Sequence, residues 1–587
     1  MNGFSRFSGY RAAFIRKDLA SGITVGIIAI PLGMAFAIAS GVRPEYGIYT
    51  TIIAGILISL FGGSRYQIGG PTGAFVPLLF AIVMQYGYED LLVAGFLSGI
   101  LLLLMGVLKL GGLIRYIPRP VTVGFTAGIA VLIFTGQLAN ALGLVHLEKH
   151  EKPLANLFEV ITHLPDANPA SVFLAGLSLA LLLALPRYLP RVPTSLAALL
   201  VTGAAATLFY GGQVATIGST YGPIPASLPH LQWPDLTWER TVRLLGPALT
   251  IALLGGIESL LSAVVADGMT GTKHNSNREL IGQGVANMVT PLFGGIPATG
   301  AIARTATNIR SGAVSPLSGV IHGAVVLLVL LLFAPYASSI PIAGMAPILM
   351  VVAWNMSERR TFLSILRTRT SDSLVLLLTF LLTVFADLTT AVAGGLLLAL
   401  LLFVRRMGGL LSVDKVLPDP ATDKVSPRQV SAGRDCPQIS MYTIEGPLFF
   451  GAAVRFEREM AATHRGSPGI LLLRMGKVPF LDLTGEAHLS ALVLHFEESG
   501  GTVLVSGLRP QPREMLRRTG LDKRIGEDRF FPRTGKAIAF ALTRLDPARC
   551  AGCRQFAFRE CAGLSSGEAA EPLLHRPPAE PVESGRS

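Results

Sequence analysis

Two glycine-rich breaks, Gly69-Gly70-Pro71-Thr72-Gly73-Ala74 and Gly294-Gly295-Ile296-Pro297-Ala298-Thr299-Gly300-Ala301, interrupt hydrophobic sequence far apart in this chain, and each is followed by a short apolar run. This is how an interrupted membrane helix looks in sequence. Non-helical backbone is tolerated at membrane depth only where protein or a watery cavity satisfies it. A half-helix starting there aims unpaired N–H groups and a positive dipole end at that cavity. Two such starts facing one another make a site for an anion, and matching breaks in two halves of a chain point to the binding site of a carrier.

Composition places the breaks in a membrane. Of 587 residues, 51% are hydrophobic and only 15% are charged, well below the share usual for soluble domains. Apolar runs cover 23–39, 48–61, 75–84, 91–108, 121–141, 171–185 and 195–209, then 244–266, 281–293, 301–309, 320–333, 340–353, 374–385 and 390–403. Several of these roughly fourteen segments are too short to cross ~30 Å of hydrocarbon unaided. The short runs after the two breaks are the expected half-helices.

Basic residues set the orientation. Arg11, Arg16 and Lys17 precede the first segment, and Arg65, Lys109, Arg115, Arg119, Arg187, Arg191, Lys273, Arg278, Arg310, Arg359, Arg360, Arg405 and Arg406 occupy alternate connections. The intervening connections, such as Tyr86 to Asp90 and the charge-balanced loop through Glu148, Lys149, Glu151 and Lys152, carry no such excess. Both termini are therefore expected in the cytoplasm of a bacterial cell, with the chain in its inner membrane. The net charge of +12 is spread over loop after loop instead of forming one patch, so topology explains it and a nucleic-acid partner is not expected. The first apolar segment is long, lacks a small-residue cleavage site and leads straight into others, unlike a cleaved signal peptide.

Beyond Arg406 the pattern changes. Residues 411–437, with Pro418, Pro420, Pro427 and Pro437, read as a linker between a membrane domain (1–410) and a small α/β domain (438–545). In the latter, 470–473 and 503–505 read as buried parallel strands, with helices over 485–496 and 512–519. The remaining 546–587 holds cysteines and, from Ser565, a Pro, Glu, Ser and Gly-rich tail expected to be disordered.

The stretches Pro31-Leu32-Gly33-Met34-Ala35-Phe36-Ala37, Gly41-Val42-Arg43-Pro44-Glu45-Tyr46-Gly47-Ile48-Tyr49 and Phe61-Gly62-Gly63-Ser64-Arg65 resemble the opening segments of the sulfate permease (SulP) family of anion transporters. Glu258-Ser259-Leu260-Leu261, Ala266 to Thr272, Asn275 to Leu280 and Ala303-Arg304-Thr305 resemble its second half, and Phe480-Leu481-Asp482-Leu483-Thr484-Gly485 resembles its cytoplasmic STAS domain. The resemblance covers nearly the whole chain except the tail. It implies a polytopic α-helical membrane protein of two inverted repeats of seven segments, arranged as core and gate domains, followed by the α/β STAS domain. A homodimer is expected, with the STAS domain serving dimerisation or regulation.

On that resemblance the substrate, a small anion, lies between the half-helix starts at Thr72, Gly73 and Ala74 and at Gly300, Ala301 and Ile302, with the Phe36 ring lining the pocket. Two departures stand out: Ala301 and Ala303 where many relatives carry hydroxyls, and Leu32 where many carry Gln. Contact would then rest more on backbone N–H groups. Arg304, one turn into the second half-helix, can add positive charge or pair with Glu258. Glu258 lies deep in an apolar segment, where an ionisable residue is a functional hypothesis by default and desolvation favours the neutral form. In sodium-coupled bicarbonate relatives the matching position is Asp with a hydroxyl four residues on. Here the pair is Glu258 and Ser262, and the longer Glu fits proton coupling better than sodium coupling.

Plainer readings exist for each residue. Glu258 and Arg304 could form a structural ion pair, Phe36 could simply pack, and Thr484, which matches the phosphorylatable hydroxyl of soluble STAS relatives, reads as a helix cap. Cys550-x-x-Cys553 with Cys561 and His575 has zinc-like spacing but lacks a second paired motif, so Cys436, Cys550, Cys553 and Cys561 read as free cytosolic thiols. No nucleophile elbow, P-loop or catalytic carboxylate pair is present in the sequence, so neither an enzyme nor an ATP-driven pump is expected, and no cofactor. A proton-coupled secondary active carrier of a small anion (sulfate, C4-dicarboxylate or bicarbonate), elevator-type by the resemblance, leads; a sodium-coupled bicarbonate symporter and a passive anion channel of the same fold are the alternatives. A nucleobase carrier is disfavoured because such proteins place a carboxylate where this chain has Arg304.

Overall fold

The structure, a computed structural model, describes residues 12–144, 147–148, 150, 153–189, 192–227, 229–419, 424–431, 433–461 and 469–566. It forms two compact units, Met1–Ala399 and Leu400–Ser587, so the division falls inside a helix.

In the membrane unit the first repeat comprises α1 (Ala12–Ala39), α2 (Pro44–Phe61), a two-residue strand β1 (Gly69–Gly70), a 3-10 turn (Gly73–Phe75) continuing into α3 (Val76–Tyr86), α4 (Tyr88–Val107), α5 (Arg119–Gly136) with the short α6 (Leu138–Leu142) and α7 (Pro153–Thr162), α8 (Pro169–Tyr188) and α9 (Thr194–Phe209). A connection holding α10 (Ile217–Tyr221) leads to the second repeat. That repeat comprises α11 (Trp238–Thr270), α12 (Ser276–Val289), β2 (Thr299–Gly300), α13 (Ile302–Arg310), α14 (Leu317–Ala337), α15 (Ile342–Met356), α16 (Arg359–Arg367), α17 (Ser371–Phe385) and α18 (Leu388–Gly408). Every apolar run read from the sequence falls on one of these helices. Among the described residues, eight helices are long and apolar enough to cross a membrane, and three shorter apolar helices accompany them.

Packing shows the repeat. α4 packs on α11 and α12, as its counterpart α14 packs on α1 and α2. α5, α8 and α9 form a second group with α15 and α17, through the pairs α5–α17, α5–α15, α8–α15 and α8–α9. Buried carboxylates pin two turns of the first group: Asp18 of α1 accepts the N–H groups of Val314 and Ser315 at 2.7 and 3.1 Å, and Glu279 of α12 accepts those of Gly63 and Ser64 at 2.7 and 3.0 Å. Buried backbone donors left unpaired would each cost about 1–3 kcal/mol, so these turns depend on their acids.

Helices α1 and α2 cross where both lack side chains. A Cβ on Gly47 would sit 2.0 Å from the carbonyl oxygen of Gly33, a backbone atom that cannot swing aside. Small residues at such crossings let helices approach closely in a membrane. Gly47→Ala is therefore expected to force α1 and α2 apart and lower stability by about 1–3 kcal/mol. A Cβ on Gly176 of α8 meets nothing within 4 Å, so Gly176→Ala serves as the tolerated control. Thermal unfolding in detergent reads both, and equal midpoints for the two variants would sink the close-crossing account.

In the second unit a five-stranded sheet has the order β3 (Ser412–Lys415), β6 (Ile439–Glu445), β7 (Ile470–Lys477), β8 (Thr502–Ser506), β9 (Phe530–Phe531), and β4 (Leu417–Pro418) pairs with β5 (Val425–Ser426) apart from it. β3 runs antiparallel to β6, and the other neighbours are parallel. The remaining elements are α19 (Ala453–Ala461), α20 (Leu483–Glu498), α21 (Pro510–Thr519), α22 (Leu521–Ile525), α23 (Thr534–Leu542), α24 (Pro547–Cys550) and α25 (Cys561–Ser566). Strand side chains alternate between faces: Leu471 and Leu473 join one buried cluster with Leu489 and Leu516, while Leu472 and Leu504 join another with Ala537, Ala557 and Phe558. Both faces of the sheet are thus covered, as the apolar runs 470–473 and 503–505 require.

Three sequence expectations change here. The stretch 411–437 is more than a linker, because Ser412–Lys415 forms an edge strand on β6 and Leu417–Pro418 pairs with Val425–Ser426. Thr484 is not the cap of α20: Asp482 holds that position and accepts the Gly485 N–H at 2.8 Å, the better choice because a carboxylate also favours the helix dipole, and Thr484 lies exposed in the first turn. In the cysteine-bearing segment, Ala557 and Phe558 are buried against the sheet, so an apolar anchor orders residues expected to be tail. Residues 567–587, with His575, lie outside the described residues.

Candidate functional site

The two glycine-rich breaks meet. Gly69 pairs with Gly300 and Gly70 with Thr299 in an antiparallel ladder, and Ala301 N–H extends it to the Ile68 carbonyl at 2.8 Å. From this crossing one half-helix leaves through Thr72, Gly73 and Ala74 into α3, and the other through Ala301 and Ile302 into α13. Neither start is closed by a side-chain cap, so the positive ends of both are left to whatever occupies the space before them.

Helix α11 fastens the crossing. Gly300 N–H donates to Ser259 Oγ at 3.0 Å, Ser259 and Thr299 hydroxyls lie 2.7 Å apart, and Thr299 Oγ1 donates to the Gly255 carbonyl at 3.0 Å. Thr305 Oγ1 accepts from Ile68 N–H at 3.0 Å and from Ser262 Oγ at 3.2 Å. Small hydroxyls thus satisfy extended backbone that would otherwise lack partners in a membrane.

The ionisable residues take distinct places. Thr72 Oγ1 donates to Glu258 Oε2 at 2.9 Å, tying the half-buried carboxylate of α11 to the first half-helix start. Arg304 is buried, and its Nη2 donates to the Pro71 carbonyl, so the guanidinium spans from the second half-helix to the backbone just ahead of the first. Gly70 makes room for it: its φ is +147°, and a Cβ there would stand 2.7 Å from Arg304 Nη1, which has no hydrogen-bond partner among the described residues. Glu258 and Arg304 make no ion pair among the described residues, so the structural-pair reading gives way to an arginine held by a carbonyl and a carboxylate held by a hydroxyl. Ser262, one turn beyond Glu258, turns its hydroxyl to Thr305.

Phe36, Thr72, Gly73, Ala74, Gly300 and Ala301 are buried, while Ile302 is exposed. A Cβ on Gly73 would touch Phe36 Cε1 at 3.4 Å, Ile133 Cδ1 at 3.3 Å and Met356 Sδ at 3.5 Å. The first half-helix start therefore faces α1 of its own group and α5 and α15 of the other. A cavity of about 360 Å3, lined by Val76, Phe80, Ile133, Gln137 and Ala343 among others, comes within one helical turn of Gly73. Sequence reasoning missed Ile133 and Met356, which look like any apolar membrane residues, and it passed over Ser259 and Thr299. The hydroxyls of Ser259 and Ser262, three apart and hence on one face of an apolar helix, were a usable signal.

Inverted repeats, paired half-helices meeting at mid-chain breaks and polar groups gathered there define a helical membrane transport protein. The sulfate permease family model matches residues 15–379 and the STAS domain model residues 434–537. The chain belongs to the sulfate permease family, and with it to the membrane anion transporters. It is 55% identical to YvdB of Bacillus subtilis, provisionally named a sulfate transporter, over 90% of this chain and 98% of that one. It is 30% identical to the bicarbonate transporter BicA of Picosynechococcus over 91% and 96%. The murine Slc26a9 anion transporter in its inward-facing state shares the fold at a TM-score of 0.84 and 20% identity, covering 92% and 94%. The transmembrane domain of a cyanobacterial BicA aligns at a TM-score of 0.59 and 31% identity, over 65% of this chain and 98% of that one.

Proposed function

We propose that this chain is a secondary active carrier of a small oxyanion, coupled to protons, working by elevator-type alternating access. The observation that supports it most is the meeting of two uncapped half-helix starts at the Gly69–Gly300 ladder, beside a carboxylate bonded to one of them. Backbone N–H groups near Thr72, Gly73 and Ala74 and near Gly300, Ala301 and Ile302 hold the anion in this reading, Phe36 walls the site, and Arg304 supplies fixed positive charge. Glu258 carries the coupling proton, with Ser262 as its partner only if sodium replaces the proton. The group containing α1–α4 and α11–α14 moves against that containing α5, α8, α9, α15 and α17. With both termini cytoplasmic in the bacterial inner membrane, the cavity beside Val76 and Ile133 is the outer vestibule.

Sulfate heads the substrate set on the strength of the 55% identical relative's name, with bicarbonate and C4-dicarboxylates as the other two. The STAS domain is assigned regulation or homodimer assembly, and membrane lipid is the remaining partner. Uptake of the three labelled anions into proteoliposomes, with proton and sodium gradients imposed in turn, tests the whole reading. One anion is expected to accumulate under an inward proton gradient and to show counterflow with trans substrate. Flux without trans-acceleration would replace the carrier by a channel, because only a carrier's return step is hastened by substrate on the far side.

A further inference from the structure

All four cysteines of the chain converge on one place in the second unit. Cys436 lies just ahead of β6, more than a hundred residues before the others, yet it lines the same cavity as Cys550, Cys553 and Cys561. Chance gathering of every cysteine in a long chain at one small cavity is improbable. The burial of Ala557 and Phe558 is what carries the C-terminal segment back over Cys436.

We propose that Cys436, Cys550, Cys553 and Cys561 form a four-thiolate site for a single thiophilic divalent cation of the zinc class, joining the start of the sheet to the segment that follows the STAS domain proper. Cys550 and Cys553 have the C-x-x-C spacing of a metal knuckle, and Cys553 N–H closes a turn on the Cys550 carbonyl at 3.0 Å. Tetrahedral zinc accepts such a pair together with two further thiolates. The surroundings suit thiolates: Phe558 N–H points to Cys561 Sγ at 3.4 Å, and Gln438 Nε2 to Cys550 Sγ at 3.2 Å. Donors of this kind orient metal-bound ligands and stabilise their charge.

The free room in the cavity is about 20 Å3, enough for one ion. Binding releases one proton from each of the four thiols and transfers no electron, leaving a dianionic centre beside Arg549, which also lines the cavity. Among the described residues no three such side chains already stand as a formed metal-binding group, so the ion must draw the sulfurs inward. A change of χ1 rotamer swings each sulfur without moving the backbone.

The site lies at and beyond the ends of the matched STAS segment, 434–537, and is independent of the transport reading. Full-length protein purified in detergent under reducing conditions is expected to carry one zinc per chain by elemental analysis. Cobalt-loaded wild type should show sulfur-to-cobalt charge-transfer absorption, which requires thiolate ligands and does not depend on any variant folding. Cys436→Ser and Cys553→Ser should each weaken zinc retention against a chelator by about tenfold or more. A wild-type protein without zinc after equilibration with zinc and reductant would overturn the proposal. So would unchanged retention in the Cys436→Ser, Cys553→Ser double variant.

Discussion

Glu258→Gln protein in proteoliposomes is expected to exchange substrate anion at near wild-type rates while gaining nothing from an inward proton gradient. The amide mimics the protonated acid, and its oxygen can still accept the bond that Thr72 Oγ1 gives Glu258 at 2.9 Å. Binding is thereby preserved while the exchangeable proton is lost. That same hydrogen bond links the acid to the residue that opens the first half-helix, and on the proposed reading occupancy by an anion and protonation of the acid favour each other reciprocally. Accumulation that depended on the proton gradient in wild type should collapse to equilibration in the variant. A variant that keeps full proton drive, or a wild type driven by sodium alone, removes the proton assignment. The Glu258 and Ser262 pair would then become a cation site, for which Ser262 must leave its 3.2 Å bond to Thr305.

Arg304→Ala carries the second large effect. The guanidinium is buried and its Nη2 bonds the Pro71 carbonyl, so the change removes both a fixed charge and the strut between the two half-helices. A charge-assisted hydrogen bond contributes about 1.5–3 kcal/mol, and a loss of that size in anion binding is roughly a ten- to hundredfold weaker Kd. Anion selectivity should be lost or reversed in protein that still migrates as a folded species. Arg304→Lys divides the two contributions, because lysine keeps the charge without the planar fork. Recovery of affinity by lysine assigns the effect to charge, and continued loss assigns it to the strut. Normal affinity in the alanine variant would show that Arg304 serves neither.

Much of this arrangement was legible in the residues. Single prolines lie inside ordinary membrane helices of this chain, such as Pro31 and Pro247, so it was the matched pair of breaks that located the Gly69–Gly300 crossing before any coordinates. Apolar runs of spanning or half-spanning length located the helices, since a bilayer leaves the backbone no other means of satisfying its hydrogen bonds. The alternation-free runs 470–473 and 503–505 foretold parallel strands covered on both faces. The motif Ala303-Arg304-Thr305 brought Arg304 and its neighbours to attention as a unit.

What those residues do to one another came only from the folded chain. Glu258 and Arg304 are both ionisable and both near the breaks, and local sequence allowed them to pair. Tertiary geometry sends one to a threonine hydroxyl and the other to a proline carbonyl. Ile133 and Met356 are ordinary apolar residues on their own helices, and only packing between groups places them over Gly73. Asp482 in place of Thr484 at the start of α20 was decided by two residues of chain path, and Cys436 joined the distant cysteines because Ala557 and Phe558 bury themselves against the sheet. Periodicity and breaks are properties of a segment, which a sequence carries in full. Partner choice is set by contacts between segments, where several pairings are chemically sound and the packed core selects one.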